Sequence, residues 1–279
     1  MAKVVRHKDA NSFLKMSQSF LEQNESINNL VLGLSISLSK SEYEDNGGEL
    51  FYSIIHQDEV VGCAIRTGEE RPFSVTQIKK EFLPVLIKKL RSDEIKLQGV
   101  VGFKQTVKDF VSFYGHKVKM NLDQGLYELS QVTFPKNVKG SVREATMEDL
   151  EVCTELLRGF LLDCFDDEAA PHAEKMMTRN LKYGKVFLWI SEENIPVAMA
   201  ARIREGIRGA GISLVYTPPE ARGRGFASAV VASLSQALLN DGFDICYLHT
   251  DLSNPISNSI YQKIGYQKVC EFIHYDFLV

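Results

Sequence analysis

The segment Arg222-Gly223-Arg224-Gly225 combines two glycines with two cationic side chains where the local pattern changes. Upstream, the apolar stretch GISLVYT ends at two prolines, which have no N–H to donate to a strand ladder. Downstream, apolar residues recur on one face from Ala227 to Leu238, which predicts a helix. The first N–H groups of a helix have no partners inside it, and its N-terminus carries partial positive charge. The segment therefore has the chemistry of an anion site suited to phosphates.

The residues of this segment alone leave several interpretations open. A P-loop would need the pattern G-x-x-x-x-G-K-[ST], which is absent. A dinucleotide-binding fingerprint would need a third glycine, where the sequence has Ser228. An ordinary glycine-rich turn that binds nothing would also fit.

A second constellation lies downstream, in the stretch LHTDLSNPISNSIYQKIGYQKV. Residues 222–227 fit the pattern [QR]-x-x-G-x-[GA], and this second stretch fits N-x-x-A-x-x-L-Y-x-x-x-G-[FY] through Asn254, Tyr261 and Gly265. The departure is Ser257 where alanine is usual, a small residue for a small residue. The two motifs, in this order and on these elements, resemble the GNAT superfamily of N-acetyltransferases. The resemblance covers residues 141–279.

The resemblance implies acetyl-CoA as cosubstrate and assigns roles to individual residues. The glycine loop would hold the pyrophosphate, the backbone N–H of Val215 would stabilise the oxyanion, Thr217 would bind the CoA arm, Asn254 would bind the pantetheine amides, and Tyr261 would be the general acid. The implied catalytic residues are Tyr261 and Val215. The implied acetyl-CoA-binding residues are Val215, Tyr216, Thr217, Arg222, Gly223, Arg224, Gly225, Phe226, Ala227, Ser228, Asn254, Ser257, Asn258 and Tyr261.

The general base and the amine acceptor stay open. Candidates for the base are Glu205, His249 and Asp251, or a water molecule, and an ordinary histidine would titrate near neutral pH. An acidic segment after the first helix of the second half would line the acceptor entrance in this family and could steer a cationic amine. A solvated acidic turn is the competing interpretation. The segment contributes Asp163, Asp166, Asp167, Glu168 and Glu174.

The elements that must position these residues alternate between helices and strands. In the second half we expect helices at 147–164, 170–182, 226–240 and 255–263, and strands at 185–191, 196–204, 209–217, 244–250 and 267–278. Thr146 followed by Asp149 predicts a helix N-cap. This order predicts an α/β fold with a mixed sheet.

The first half repeats the order of the second, which predicts two tandem GNAT-like domains. The stretch from Thr133 to Ser141 is the predicted linker, between a domain at 1–135 and a domain at 141–279. In the first half the segment TGEERPFSVTQ stands where the glycine motif should be, and no asparagine matches Asn254. Tyr114 is out of step with Tyr261. The first domain is therefore expected to be degenerate, with a structural role or a role in walling the acceptor cleft.

Composition excludes several classes of protein. The net charge of −4 gives no global basic field for nucleic acid, and no apolar run reaches the ~20 residues of a membrane span. The N-terminus lacks the apolar region of a signal peptide, so the expected location is the cytoplasm. The five cysteines and six histidines form no C-x-x-C or H-x-x-x-H pair, so neither a disulfide framework nor a metal site is expected.

The sequence thus predicts an acyltransferase that moves the acetyl group of acetyl-CoA to a primary amine of a small molecule or peptide through a ternary complex. A CoA-binding regulatory or interaction protein without turnover is the alternative from another class, and a dinucleotide-binding oxidoreductase is a third hypothesis. The expected assembly is a monomer built as a pseudo-dimer of domains, or a homodimer.

Overall fold

The computed structural model describes residues 1–40, 47–164 and 167–278, with the backbone alone for 167–169. Twelve strands and eight α-helices lie within these ranges. The strands are β1 Lys3–His7, β2 Leu50–His56, β3 Glu59–Arg66, β4 Phe73–Val75, β5 Gly99–Phe103, β6 Val118–Leu129, β7 Ser141–Glu144, β8 Lys185–Ile190, β9 Pro196–Glu205, β10 Gly209–Tyr216, β11 Ile245–Asp251 and β12 Gln267–Phe277. The helices are α1 Ala10–Gln23, α2 Glu25–Ser39, α3 Leu83–Ser92, α4 Lys104–Tyr114, α5 Leu150–Cys164, α6 Ala173–Tyr183, α7 Phe226–Asn240 and α8 Pro255–Ile264.

The chain divides into two compact units, and the division is not a single cut. Unit 1 comprises residues 1–126, 250–253 and 268–279, and unit 2 comprises 127–249 and 254–267. The predicted boundary near residues 135–141 gives only part of this division, because the C-terminal strand β12 lies in unit 1. Pairing between strands far apart in sequence leaves no trace in local periodicity, which explains why the pattern of the second half gave no warning of it.

Unit 1 is a mixed sheet with helices on both faces. Its strands follow the order β1-β2-β3-β4-β5-β12-β6, with β4 parallel to β5 and β12 antiparallel to β5. One face carries α1 and α2, and the other carries α3 and α4, each over its own apolar core. Ile273 and Phe277 of β12 are part of the core under α3 and α4. The last strand therefore completes the core of the unit that begins the chain.

Unit 2 has the strand order β11-β10-β9-β8-β7. Residues of β8 alternate between two cores, as a pleated strand requires: Phe187 packs with α7 and α8, and Leu188 packs with α5 and α6. The N-terminal end of α5 is preceded by a short 3₁₀ helix whose cap is the predicted one, with Thr146 and Asp149 bonding reciprocally. The sheet is thus covered on both faces, which agrees with the predicted α/β class.

The predicted linker, Thr133 to Ser141, lies inside unit 2 and packs against the rest of that unit. The N–H of Thr133 donates to the carbonyl of Ile264 at 2.7 Å, and the indole Nε1 of Trp189 donates to the carbonyl of Lys139 at 3.0 Å. Val138 packs against the core under α7 and α8. The segment is therefore held along its length before it enters β7.

No helix among the described residues combines the length and the apolar character needed to cross a bilayer. Within 1–40, 47–164 and 167–278, no cluster of histidine, cysteine and carboxylate side chains has the arrangement of a metal site. The five cysteines are free thiols: Cys63, Cys153 and Cys246 are buried, Cys270 is partly buried and Cys164 is exposed.

Candidate active site

Strands β10 and β11 pair over only part of their length. They are parallel, and their pairing runs from Gly209 opposite Ile245 to Gly211 opposite Tyr247. Strand β10 then continues to Tyr216, and β11 continues to Asp251. The two strands therefore part after Gly211, which leaves an opening between the end of β10 and the end of β11.

A bulge lies in β10 beyond the point where the strands part. Against β9, Ser213 stands opposite Ala201 and Tyr216 opposite Met199, so Leu214 and Val215 together face Ala200. Leu214 has φ of 53°, which is unusual for a residue with a branched side chain. A bulge re-aims the residues of its strand and leaves one of them outside the ladder. Nothing in the sequence indicated this feature.

The bulge changes which face of the sheet Val215 occupies. Ile212 packs with the core under α7 and α8, whereas Leu214 packs with the core under α5 and α6. In a regular strand these two residues would share a face, because side chains alternate with a period of two. The switch puts Val215 back on the side of α7 and α8. Tyr261 of α8 packs in this same core.

The glycine loop leads from β10 into α7 in the predicted way. Gly223 and Gly225 have φ of 77° and 83°, a region that side chains other than glycine rarely adopt. Helix α7 begins at Phe226, and its N-cap, Gly225, supplies no side-chain hydrogen bond. The first N–H groups of α7 are thus without a side-chain cap, as an anion site at a helix N-terminus requires. Phe226 itself is a core residue, so only its backbone can face a ligand.

The two arginines of the loop differ in their surroundings. Nε of Arg222 donates to the carbonyl of Thr217 at 2.9 Å, and its guanidinium forms an ion pair with Asp163 of α5. The same guanidinium lies 5.8 Å from the ring centre of Tyr216. The guanidinium of Arg224 lies 4.7 Å from the ring centre of Phe226, at the first turn of α7. Arg224 is therefore the better placed of the two to contribute charge to a ligand at this N-terminus.

The hydroxyl of Thr217 stands at the end of β10 without a partner. Its Oγ1 atom is buried and has no hydrogen-bond partner among the described residues. An unsatisfied buried hydroxyl costs free energy of about 1–3 kcal/mol, so such groups tend to mark a site where a ligand or water bonds. This agrees with the role that the resemblance gave to Thr217.

Asn254 acts as the N-cap of α8. Its side-chain oxygen accepts from the N–H of Ser257 at 3.1 Å, and its backbone carbonyl accepts from the N–H of Asn258 at 3.2 Å. The amide of an asparagine also carries two N–H donors, which the cap does not use. One residue can therefore begin the helix and still donate to a ligand. The sequence pattern identified the residue but not its capping role.

Tyr261 lies in the middle of α8 and is 8 % exposed. Its ring meets the ring of Tyr266 edge to face, with centroids 6.0 Å apart. Burial raises the pKa of the Tyr261 phenol well above its usual value, and the neighbouring Cys164 raises it further. The phenol is therefore protonated at any pH at which the protein would work, as a general acid must be.

The three candidate bases are not equivalent. Glu205 stands opposite Ala210, five residues from Val215, or about 17 Å at the rise of a strand, and it pairs with Arg202. Burial and the charge of Arg204 lower the pKa of His249 to about 3, so the expected titration near neutral pH does not occur. Asp251 lies in the short segment 250–253 that belongs to unit 1.

The acidic segment is only partly described. The carboxylate of Asp163 is paired with Arg222, so its charge is already engaged and steers a cationic acceptor less than a lone carboxylate would. Glu174 lies in the first turn of α6. Asp166 and the side chains of Asp167 and Glu168 lie outside the described residues.

Unit 1 differs from unit 2 at the corresponding strands. All three residues of β4 pair with β5, up to Val75 opposite Gly102, so these strands show no opening. A Cβ at Gly102 would lie 2.2 Å from the carbonyl oxygen of Val75, which shows how closely the two strands approach. Tyr114 is a buried core residue stacked on Phe110.

Comparison with known proteins agrees with this geometry. Residues 188–274 match the model of the family described as FR47-like protein. No match was found among curated proteins. A Drosophila protein of known structure aligns over 100 % of this chain and 99 % of its own, with 13 % identity and a TM-score of 0.68.

Two further structures carry GNAT descriptions. A tandem GNAT protein from the clavulanic acid biosynthesis pathway, solved without AcCoA, aligns over 99 % of this chain and 98 % of its own, with 8 % identity and a TM-score of 0.60. An acetyltransferase of the GNAT family from Colwellia psychrerythraea aligns over 99 % and 100 %, with 10 % identity and a TM-score of 0.59. The predicted resemblance is therefore confirmed at the level of the fold: this chain has a tandem GNAT-like fold, with the FR47-like match in its second half.

Proposed function

We propose that unit 2 is an acetyl-CoA-dependent N-acetyltransferase acting on a primary amine of a small molecule or peptide. The observation that supports this most directly is the parting of β10 and β11 beside the bulge at Leu214 and Val215. The opening gives a thioester arm a path between two strands. The bulge would turn a backbone N–H toward that path, because it re-aims the residues of its strand.

Three sets of protein groups would bind acetyl-CoA, each at a different part of the molecule or from a different side. The uncapped N–H groups at the start of α7, with Arg224, would hold the pyrophosphate. The orphan hydroxyl of Thr217 and the backbone of β10 would bond the pantetheine arm. The N–H donors of Asn254 would bond the arm from the side of α8.

The reaction would proceed by direct attack within a ternary complex. The lone pair of the amine attacks the thioester carbonyl, and the N–H of Val215 stabilises the oxyanion, which is worth ~2.7–4 kcal/mol of the barrier for a preorganised donor. As the C–S bond breaks, the Tyr261 phenol gives its proton to the CoA sulfur. The proton of the attacking amine would leave to water or to Asp251, because burial makes His249 a weak base and Glu205 stands opposite Ala210, at the far end of β10 from Val215. Solvent then returns a proton to Tyr261.

The test measures CoA binding by calorimetry and free-thiol release from acetyl-CoA with a panel of amines, with mass analysis of the acetylated product. We expect amine-dependent thiol release in step with product formation. Tight CoA binding without turnover on any amine would favour a CoA-binding regulator. Binding of NAD in place of CoA would overturn the proposal.

Two glycines at opposite ends of α7 provide a matched pair of variants. Gly223 and Gly242 both have positive φ, 77° and 101°, and a Cβ at either would meet nothing within 4 Å. Gly223→Ala and Gly242→Ala should therefore cost similar stability, about 1–2 kcal/mol. Only Gly223→Ala should weaken CoA binding, because only Gly223 lies in the loop that approaches the pyrophosphate. Equal CoA affinity for both variants would mean that the glycine loop does not contact CoA.

A further inference from the structure

The end of α5 and the glycine loop meet at the guanidinium of Arg222. That group donates to the carbonyl of Thr217 at 2.9 Å, pairs with Asp163, and lies 5.8 Å from the ring centre of Tyr216. Thr217 and Tyr216 belong to the end of β10, and Asp163 belongs to the last turn of α5. The side chain of Arg222 therefore ties three chain segments together at one point.

Gly159, on the same helix as Asp163, leaves room for this arrangement. A Cβ at Gly159 would lie 2.4 Å from the phenolic oxygen of Tyr216 and 2.6 Å from its Cζ atom. Glycine is a poor residue for the interior of a helix, because it loses more backbone entropy than alanine. Its presence here lets the ring of Tyr216 lie directly against the backbone of α5.

We infer that Asp163 and Gly159 are positioning residues for acetyl-CoA. Acting through Arg222 and Tyr216, they fix the loop that follows β10 against α5. The inference rests on the proposed function and adds to it: Arg222 serves the pyrophosphate by holding the loop, while the N–H groups of α7 and Arg224 face the ligand. It also couples the acetyl-CoA loop to α5, the helix that leads into the acidic segment.

Asp163→Asn separates positioning from simple electrostatics by the sign of its effect. A carboxylate close to a phosphate site repels the ligand, so removing its charge should tighten CoA binding if charge alone matters. If Asp163 holds Arg222 and the loop in place, the dissociation constant of CoA should instead rise about threefold to fivefold, the range expected of a partly exposed ion pair. Glu155→Gln is the control, because it removes one carboxylate from an exposed ion pair on the same helix.

The pair is confirmed or rejected by a double-mutant cycle. In an Arg222→Gln background, Asp163→Asn should change CoA affinity by less than about 1.5-fold, since its partner is already gone. Additive effects would overturn the inference. Gly159→Ala should weaken CoA binding by a similar factor, because its Cβ displaces the Tyr216 ring. The better helix propensity of alanine offsets part of the stability that this displacement costs.

The outcomes also distinguish this inference from the proposed function. If the wild-type protein binds no CoA, the proposed function fails and the inference falls with it. If the wild type binds CoA and acetylates an amine, but Asp163→Asn binds CoA as well as the wild type or more tightly, the inference alone is wrong. A rise in KM for acetyl-CoA with kcat nearly unchanged is the expected kinetic result, because neither residue touches the reacting atoms.

Discussion

Tyr261 combines two properties that a proton donor needs, which are a place in the core that Val215 packs against and a pKa raised by burial. A phenol with an ordinary pKa would already hold its proton at neutral pH. Burial extends the protonated range upward, so the alkaline limb of the rate profile should lie above pH 10. A structural tyrosine in the core would share the burial but would leave the rate unchanged when its hydroxyl is removed.

The first prediction at the residue scale is therefore the effect of Tyr261→Phe. We expect kcat to fall about 100-fold or more, as for loss of a general acid, while the dissociation constant of CoA stays within about twofold. Steady-state kinetics and calorimetry on the same preparation measure both quantities. Tyr183→Phe is the control, because Tyr183 is exposed and lies on α6. An unchanged kcat for Tyr261→Phe would mean that water protonates the leaving thiolate.

The second prediction concerns the orphan hydroxyl of Thr217. Thr217→Val keeps the shape of the side chain and removes a buried Oγ1 that has no partner among the described residues. The free protein should become more stable by about 1 kcal/mol, because the desolvation penalty disappears. CoA should bind several-fold more weakly, so the shift in Tm that CoA produces should shrink. Thermal unfolding with and without CoA gives both values, and a variant that loses stability while keeping CoA affinity would contradict the assignment.

At the scale of elements, local signals in the sequence predict most of the helix and strand boundaries around the candidate site. Helix α7 spans 226–240 as expected, and strands β8 to β11 begin and end within one residue of their predicted limits. Prolines and glycines mark these boundaries directly. Proline fixes φ and lacks an N–H, and glycine permits positive φ, so each effect is local to one residue and can be read from its type. The two motifs identified Tyr261 and the glycine loop for the same reason: their spacing is set within single elements.

The bulge at Leu214 and Val215 and the bridge from Asp163 to Arg222 escaped prediction. The bulge depends on the register between β10 and β9, and the bridge joins residues 59 positions apart. Neither relation produces a periodic pattern along the chain. Gly159 carried a usable signal, since a glycine within the helical stretch LLRGFLL is unfavourable and so calls for a packing reason.

The third prediction concerns the polar contacts that join β1, α1 and β2 within unit 1. Nε2 of His7 bonds to Oγ of Ser53 at 2.9 Å, and that oxygen lies 2.6 Å from Oγ of Ser17. Burial lowers the pKa of His7 below 6.5, although Asp9 opposes the shift. As the pH falls, His7 of the unfolded chain therefore takes up a proton at a higher pH than His7 of the folded protein does. The stabilisation from neutral His7 is complete above pH 6.5 and is lost as the pH falls below that value.

His7→Gln should reduce this pH dependence. Between pH 7.5 and 5.5 the variant should lose less free energy of unfolding than the wild type, by at most about 1.4 kcal/mol. Urea unfolding at the two pH values measures the difference. His172→Gln is the matched control, because it removes an imidazole from an exposed position. An identical pH dependence for His7→Gln and the wild type would show that His7 does not titrate differently in the two states.

At the scale of the whole molecule, the C-terminal strand ties the end of the chain to the unit that begins it. Strand β12 pairs with β5 through five residue pairs, from Phe272 opposite Phe103 to Asp276 opposite Gly99. Ile273 and Phe277 complete the core under α3 and α4. The two halves of the sequence are therefore not independent folding units, although each half repeats the same order of helices and strands.

The last prediction follows from this exchange: removing residues 268–279 should destabilise unit 1 more than unit 2. The shortened chain loses two large core side chains and leaves the edge of β5 unpaired, which should cost several kcal/mol in that unit. Hydrogen exchange should show faster exchange in β2, β3 and β5, with smaller changes in α7. A peptide spanning 267–279 added in trans should restore the protection, whereas the same peptide with Ile273→Asp and Phe277→Asp should not. Loss of protection confined to α7 and α8 would contradict this prediction. It would mean that β12 stabilises the second half of the chain, as two domains arranged one after the other in sequence require.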